Sequence, residues 1–232
     1  MKETIVIATI KEWNILNFFK LKEKIGGEYN LHIITTKDEF SREVLEKLNP
    51  KYIFLPHWSW IIPKEIYQRF ETIVFHMTDL PYGRGGSPLQ NLIQNKRYKT
   101  KISALKVDKE LDSGDIYMKE DFDVSRGSAQ KIYQNLSDKI FFIIIPYILE
   151  KRPIPKKQIG KITTFKRREP KHSDMNISKF VSLNDIYDFI RMLDANSYPK
   201  AFIKIDNFKI EFFAVKKKNK KLIGKFEVKI DE

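Results

Sequence analysis

Four apolar, β-branched runs, at residues 4–10, 31–35, 51–56 and 72–76, alternate with segments of helical period, and this alternation leaves few folds open to the chain. After the first run Ile15, Phe18, Leu21 and Ile25 recur at helical spacing until Gly26 and Gly27 stop the helix. Thr36-Lys37-Asp38-Glu39 reads as a capping box opening a second helix, with Phe40, Val44, Leu45 and Leu48 on one side. A short helical stretch around Ile66 precedes the fourth run, and another helix is expected from about Leu89. Strands separated by crossover helices make a mostly parallel sheet, so the expected class is α/β and Rossmann-like.

Beyond residue 100 the rhythm changes. Residues 102–107 and 115–123 read as strands around a turn at Asp112-Ser113-Gly114, and a long helix follows Ser128 through Ile132, Leu136, Ile140 and Ile144. Residues 151–175, rich in proline, lysine and arginine, read as a connecting segment across the surface. A helix capped by Ser182 and Asp185 and three strands at 201–205, 209–215 and 222–230 then form a small α+β appendage. The expected division is residues 1–160 and 161–232, with no internal repeat.

The 232 residues, 42% of them apolar, suffice for a substantial core. Without cysteine, disulfides, thiolate catalysis and thiolate zinc sites are excluded, which suits a cytoplasmic chain. A strand starting at Thr4 leaves no room for a leader, and the longest apolar run, 140–149, is too short to span a bilayer, so no membrane partner is expected. The net charge of +13 is uneven: residues 151–232 hold 21 lysines and arginines against 10 aspartates and glutamates. Such a surface attracts phosphate in any form. The run 216–221, lysines around Asn219, reads as a hairpin turn.

Of the four histidines, His32 lies within a strand and His172 in the basic linker, whereas His57 and His76 each follow an apolar strand. Both therefore reach the carboxyl edge of the sheet, where open α/β folds hold ligands. After His76 comes Met-Thr-Asp-Leu-Pro-Tyr-Gly-Arg-Gly-Gly-Ser-Pro, whose glycines permit close approach of backbone N–H groups to a ligand. Asp79 could cap the turn that follows. Asp112 sits in a turn able to carry a carboxylate into the same pocket, although a plain turn aspartate has the same pattern. Neither a Walker sequence nor a dinucleotide fingerprint is present.

The strand-His-x-x-x-Leu-Pro segment with Gly-Arg-Gly-Gly-x-Pro after it, followed by Leu111-Asp112-Ser113-Gly114-Asp115-Ile116, resembles the formyltransferases that use 10-formyltetrahydrofolate, from the first strand to about Glu150. The wording of residues 75–93 is most similar to the sugar N-formyltransferases of pseudaminic acid biosynthesis. The resemblance implies a Rossmann-like formyltransferase domain, 10-formyltetrahydrofolate as formyl donor, and no metal. It makes His76 and Asp112 the catalytic pair and places the folate against Trp58, Ser59, Trp60 and Ile61. It implies as acceptor a nucleotide-linked 4-amino-4,6-dideoxy sugar, with Arg84, Gly85, Arg167 and Arg168 as substrate contacts. No stable nucleic-acid partner is then expected, and a homodimer is compatible with the family. The family asparagine two residues before the histidine is replaced by Val74, so another oxyanion donor is needed, for which His57 and Asn91 are candidates; one such donor is worth about 3 kcal/mol. The alternatives are formylation of an aminoacyl-tRNA or carrier-bound aminoacyl group, against which the small appendage counts in the tRNA case, and a non-catalytic basic module that binds phosphate or nucleic acid.

Overall fold

The computed structural model describes residues 2–175, 179–196 and 198–231. The elements, in chain order, are β1 (Thr4–Ala8), α1 (Glu12–Ile25), β2 (Asn30–Ile34), α2 (Arg42–Leu48), β3 (Tyr52–Leu55), α3 (Lys64–Tyr67), β4 (Thr72–His76), β5 (Arg84–Gly85), α4 (Pro88–Gln94), β6 (Lys99–Lys106) and β7 (Ile116–Asp123). They continue with α5 (Ala129–Lys139), a π-helical turn (Ile140–Ile144), α6 (Ile145–Lys151), β8 (Thr164–Phe165), a 3-10 turn (Pro170–Ser173), α7 (Leu183–Arg191), β9 (Ala201–Ile205), β10 (Phe208–Lys218) and β11 (Lys221–Ile230).

Two compact units emerge: Met1–Arg84 with Lys101–Phe122 and Gln134–Thr164, and Gly85–Thr100 with Asp123–Tyr133 and Phe165–Glu232. The line therefore does not run through a single point near residue 160, because the segments around α4 and the start of α5 pack with the C-terminal part.

The first unit is built on a six-stranded sheet of order β2-β1-β3-β4-β6-β7. β1 pairs in parallel with β2 and β3, β3 with β4, and β4 antiparallel with β6. The chain runs one way from β1 to β2 and back the other way to β3 and β4, and right-handed crossovers then place α2 and α3 on the face opposite α1. The core of that face is accordingly Val6, Ala8, Ile53 and Leu55 from the sheet against Leu45 of α2 and Ile66 of α3. Because strand side chains alternate, Ile5, Ile7, Phe54 and Ile73 fill the other face and are fully buried. At about 25 cal/mol per Å² of apolar area, these two layers supply the main driving force for this unit.

Three local differences from the sequence expectation have clear causes. Only half of the expected capping box forms: Glu39 N–H donates to Thr36 Oγ1, but the Glu39 carboxylate accepts from Thr35 N–H, and these bonds close a turn; α2 starts later, where Ser41 Oγ accepts from Val44 N–H. The long helix widens into a π-turn at 140–144, just before Pro146, whose ring would collide with the carbonyl four residues back in a regular helix. Asn219, at φ 53°, supplies the left-handed residue of a two-residue hairpin joining Lys218 to Lys221, as the basic run suggests.

In the second unit β11, β10 and β9 form an antiparallel sheet. One face of it carries Phe208, Phe226, Val228 and Ile230, all 45–69% exposed. The polar heart of this unit is Arg191, 1% exposed. Its Nε donates to Asp188 at 2.7 Å, its Nη1 to the carbonyls of Val124 and Gly127, and its guanidinium lies 5.5 Å from the Tyr187 ring centre. Asp188 also accepts from Tyr98 Oη at 2.6 Å and Lys96 Nζ at 3.2 Å. Arg191→Ala removes the nearest charge partner of a buried carboxylate, leaving it Tyr98 and the longer Lys96 contact, with an expected loss of about 3 kcal/mol; combining it with Asp188→Asn should cost less than Arg191→Ala alone, as urea unfolding of the three variants will measure.

Candidate active site at the carboxyl edge of the sheet

β4 ends on His76 because the apolar run ends there, and parallel pairing with β3 brings His57, two residues past β3, to the same edge. His76 is 7% exposed. Its Nε2 lies 2.7 Å from the Gly83 carbonyl, which can only accept, so Nε2 carries the donated proton. Nδ1 lies 3.4 Å from Asp112 Oδ2, longer than a formed hydrogen bond and close enough for proton exchange through a small shift. The sequence separates these two side chains by a strand, a helix and a second strand.

The loop from 76 to 84 is closed from below. Ser103 Oγ on β6 donates to the Thr78 carbonyl at 2.7 Å and accepts from Leu80 N–H, while Thr78 Oγ1 donates to the Gly83 carbonyl. Lys119 on β7 pairs with the Asp79 carboxylate at 2.6 Å, so this side chain makes an ion pair while the Asp79 carbonyl accepts the turn bond from Tyr82 N–H.

Asp112 is carried by a turn that lies hard against the end of β6. A Cβ on Gly114 would sit 1.8 Å from the Lys106 carbonyl oxygen, so only glycine permits this approach. Asp112 itself adopts φ 53°, a region that aspartate tolerates better than most side chains. Gln158 Nε2 donates to the carbonyls of Asp112 and Gly114 at 2.8 and 2.9 Å. No periodicity in the proline- and lysine-rich stretch marks Gln158, and a surface reading of residues 151–175 misses it.

His57 is held by a separate network. Thr9 Oγ1 donates to the Pro56 carbonyl at 2.7 Å, and Asn14 Nδ2 on α1 reaches Thr9 Oγ1, the Pro56 carbonyl and His57 Nδ1. With Nδ1 accepting, the proton sits on Nε2. Burial, with the Lys11 charge second, pushes the His57 pKa down to about 4.

The other predicted residues divide by what they touch. Ile61 is 95% exposed, with exposed Ser59 and half-buried Trp60 beside it, and the Trp60 ring meets that of Trp58 edge-on at 4.8 Å. Trp58 is instead a packing residue, against the core of the α2 and α3 face with its ring 4.9 Å from Phe40. Arg84, expected as a substrate contact, reaches Gln158, with Nε at 3.1 Å and Nη2 at 2.8 Å from Oε1. Asn91 is not an oxyanion donor: its amide donates to the carbonyls of Gly86, Ser87 and Lys166 and ties its own turn. Val74 packs on the apolar core. Gly85, Arg167 and Arg168 belong to the second unit. There the Arg167 backbone lies where a Cβ on Gly86 would be, and half-buried Arg168 bonds the His172 carbonyl. His32 is half-buried in β2, and His172 Nδ1 accepts from Glu169 N–H. Among the described residues no cluster of histidine and carboxylate side chains could hold a metal, and no helix is long and apolar enough to cross a membrane.

A buried histidine facing a carboxylate at the carboxyl edge of a mostly parallel sheet fits a group-transfer enzyme of Rossmann-like fold. Residues 16–142 match the family model described as formyl transferase, and residues 170–229 match the model of the methionyl-tRNA formyltransferase C-terminal domain. The chain belongs to the formyl transferase family, whose formyl donor is 10-formyltetrahydrofolate. It is 51% identical to a solved structure titled methionyl-tRNA formyltransferase from Clostridium thermocellum, covering 98% of this chain and 99% of that one, with a TM-score of 0.95. Against the methionyl-tRNA formyltransferase of Sulfurihydrogenibium sp. it is 28% identical over 75% of this chain and 57% of that protein. The chain spans about a third to somewhat over a half of the length of the curated relatives it matches. A sugar N-formyltransferase from Shewanella sp. superposes with a TM-score of 0.71 at 15% identity, covering 91% of this chain and 96% of that one, a likeness of fold alone.

These findings overturn the expected nucleotide-sugar acceptor, the pseudaminic acid assignment and the exclusion of a nucleic-acid partner. The wording of residues 75–93 describes the loop around His76 and not the acceptor. The small appendage is no objection either, since the Clostridium thermocellum chain is covered almost completely. The reading as a non-catalytic binding module also falls, because the formyl transferase model spans the site.

The His57 environment has a consequence for stability. The unfolded ring takes up its proton near pH 6.5 and the folded ring only near 4. Its contribution is therefore complete above pH 6.5 and falls as pH drops towards 4, because the unfolded chain binds the proton first. Across that window the loss is about 3 kcal/mol. Urea unfolding at pH 7 and pH 4 should show wild type losing about that much more stability than His57→Asn, which keeps a residue tolerant of φ 54°; equal losses would exclude His57 as the source.

Proposed function

We propose that the chain transfers the formyl group of 10-formyltetrahydrofolate to the amino group of methionyl-tRNA. The observation that carries this reading is the likeness, at 51% identity over 98% of this chain, to the Clostridium thermocellum protein of that name. The match of residues 170–229 to a methionyl-tRNA formyltransferase C-terminal domain supports the acceptor. So does the excess of 21 basic over 10 acidic side chains after residue 150, which suits a polyphosphate backbone.

Formyl transfer forms one bond, from the amine nitrogen to the formyl carbon, and breaks one, from that carbon to the folate nitrogen. The amine must lose a proton and the folate nitrogen must gain one, while negative charge gathers on the carbonyl oxygen. His76 and Asp112 suit these demands. The Gly83 carbonyl fixes the imidazole through Nε2 and leaves Nδ1 facing the Asp112 carboxylate, so that a proton accepted by this pair has a defined place between Nδ1 and Oδ2. The carboxylate stabilises the ring in its protonated form during transfer. His57, neutral with its proton on Nε2, adds an N–H donor at the same edge and is our candidate to support the oxyanion where Val74 cannot. Ser59, Trp60 and Ile61 are the residues that would hold the pterin.

Incubating the purified chain with 10-formyltetrahydrofolate and methionyl-tRNA should yield N-formylmethionyl-tRNA by mass spectrometry of the released amino acid. No product from wild type would refute the reading. His76→Ala and Asp112→Asn should each lower the rate by about 100- to 10,000-fold without loss of fold, and near-normal turnover in either would remove that residue from the mechanism.

A further inference from the structure

The segment between α6 and β8 is held in an unusual way. Its apolar side chains face solvent: Ile154 is 83% and Ile159 91% exposed. Hydrophobic burial therefore does not fix it in place. Its attachments are polar and few. Lys156 exchanges two backbone hydrogen bonds with Ile116 at the start of β7, and Thr163 accepts from Gly83 N–H through Oγ1 at 2.7 Å and from Arg84 N–H through its carbonyl at 3.0 Å. Between these lies Gln158, half-buried where both its sequence neighbours are exposed.

The Gln158 amide has one consistent orientation. A guanidinium only donates, so the atom facing Arg84 Nε and Nη2 is Oε1; carbonyls only accept, so the atom facing Asp112 and Gly114 is Nε2. Arg84 follows His76 by eight residues in the loop whose Gly83 carbonyl holds the imidazole. Gln158 thus joins the chain just past the histidine's clamp to the backbone of the turn that carries the carboxylate. Asp112, with a left-handed φ, has little apolar packing of its own to hold it, since Leu111 is 74% exposed.

We propose that Gln158, oriented by Arg84, is a positioning residue that sets the Asp112 turn relative to His76. The inference rests on the reading of His76 and Asp112 as the catalytic pair. Neither Gln158 nor Arg84 then meets a reacting atom; their effect passes through the distance between imidazole and carboxylate. A displacement on the order of 1 Å at such a pair costs about 100-fold in rate.

The test uses the full chain with Gln158→Met, which keeps length and removes both donor and acceptor. We expect kcat to fall by about 100-fold with KM for 10-formyltetrahydrofolate within about twofold, because the pterin wall is untouched. Hydrogen exchange of residues 110–116 should quicken in the same variant, a readout that needs no assigned acceptor. Arg84→Met should act in the same direction and Arg84→Lys should restore part of the rate, a rescue expected if a donor to Oε1 is what matters. Unchanged exchange at 110–116, or kcat within twofold of wild type, would overturn the inference. If Gln158→Met does not fold, the Arg84 pair decides it: equal rates for Arg84→Lys and Arg84→Met would overturn it. Failure of wild type to formylate methionyl-tRNA would instead strike the acceptor assignment, and the exchange experiment would still decide the role of Gln158.

Discussion

The 2.7 Å bond from His76 Nε2 to the Gly83 carbonyl organises this site. A histidine at a strand end has two rotatable bonds and two usable nitrogens, and by itself commits neither. Once the chain turns back within seven residues and presents a carbonyl to Nε2, the ring plane is fixed and Nδ1 is left for chemistry. The rest of the local structure serves that turn: Ser103 and Thr78 brace it from within, and Thr163 ties its far end. The carboxylate is then brought to the free nitrogen by an independent device, the close approach of Gly114 to the end of β6. Two separately built loops meeting at 3.4 Å is a geometry that can be adjusted from either side.

Much of this was legible in the sequence, and the reasons are local. Strand and helix periods placed the parallel sheet, and the end of an apolar run at His76 placed the imidazole at its edge. The Asp-Ser-Gly turn placed the carboxylate, although its contact with His76 depended on strand order. What was not legible depended on contacts without periodic signature. Gln158 acts through one side chain in a stretch whose composition says only linker. Thr36 Oγ1 accepts from Glu39 N–H as in a capping box, yet the Glu39 carboxylate bonds Thr35 N–H and the helix waits for Ser41, because a cap motif specifies local hydrogen bonds and not the conformation of the residues after it. The expected roles of Arg84 as a substrate contact and Asn91 as an oxyanion donor leave out the acceptors that their donors meet, because sequence lists donors and not the groups that occupy them.

The acceptor was misread for a related reason. The loop from 75 to 93 is shaped by the needs of the histidine, and those needs are the same whichever amine attacks. Wording in that loop therefore carries information about the common chemistry and little about the nucleophile's attachment. The match that bears on the acceptor lies outside the segment around His76, in residues 170–229. A strongly basic C-terminal portion and a methionyl-tRNA acceptor are consistent with each other, whereas a single nucleotide sugar offers two phosphates to a far larger excess of charge.

The replacement of the family asparagine by Val74 acquires a structural meaning in this setting. Val74 and His76 lie on the same face of β4, two residues apart, and Val74 packs with the apolar cluster beneath α2 and α3. A polar amide at that position would need a partner from this core or would carry a desolvation cost of about 1–3 kcal/mol. The valine removes that cost and extends the core to one step below the imidazole. At the neighbouring strand end burial keeps His57 neutral and the Asn14 bond keeps its proton on Nε2, so the N–H that we propose for the oxyanion carries no charge. The depressed pKa of His57 thus follows from the same burial that would strengthen its N–H as a donor.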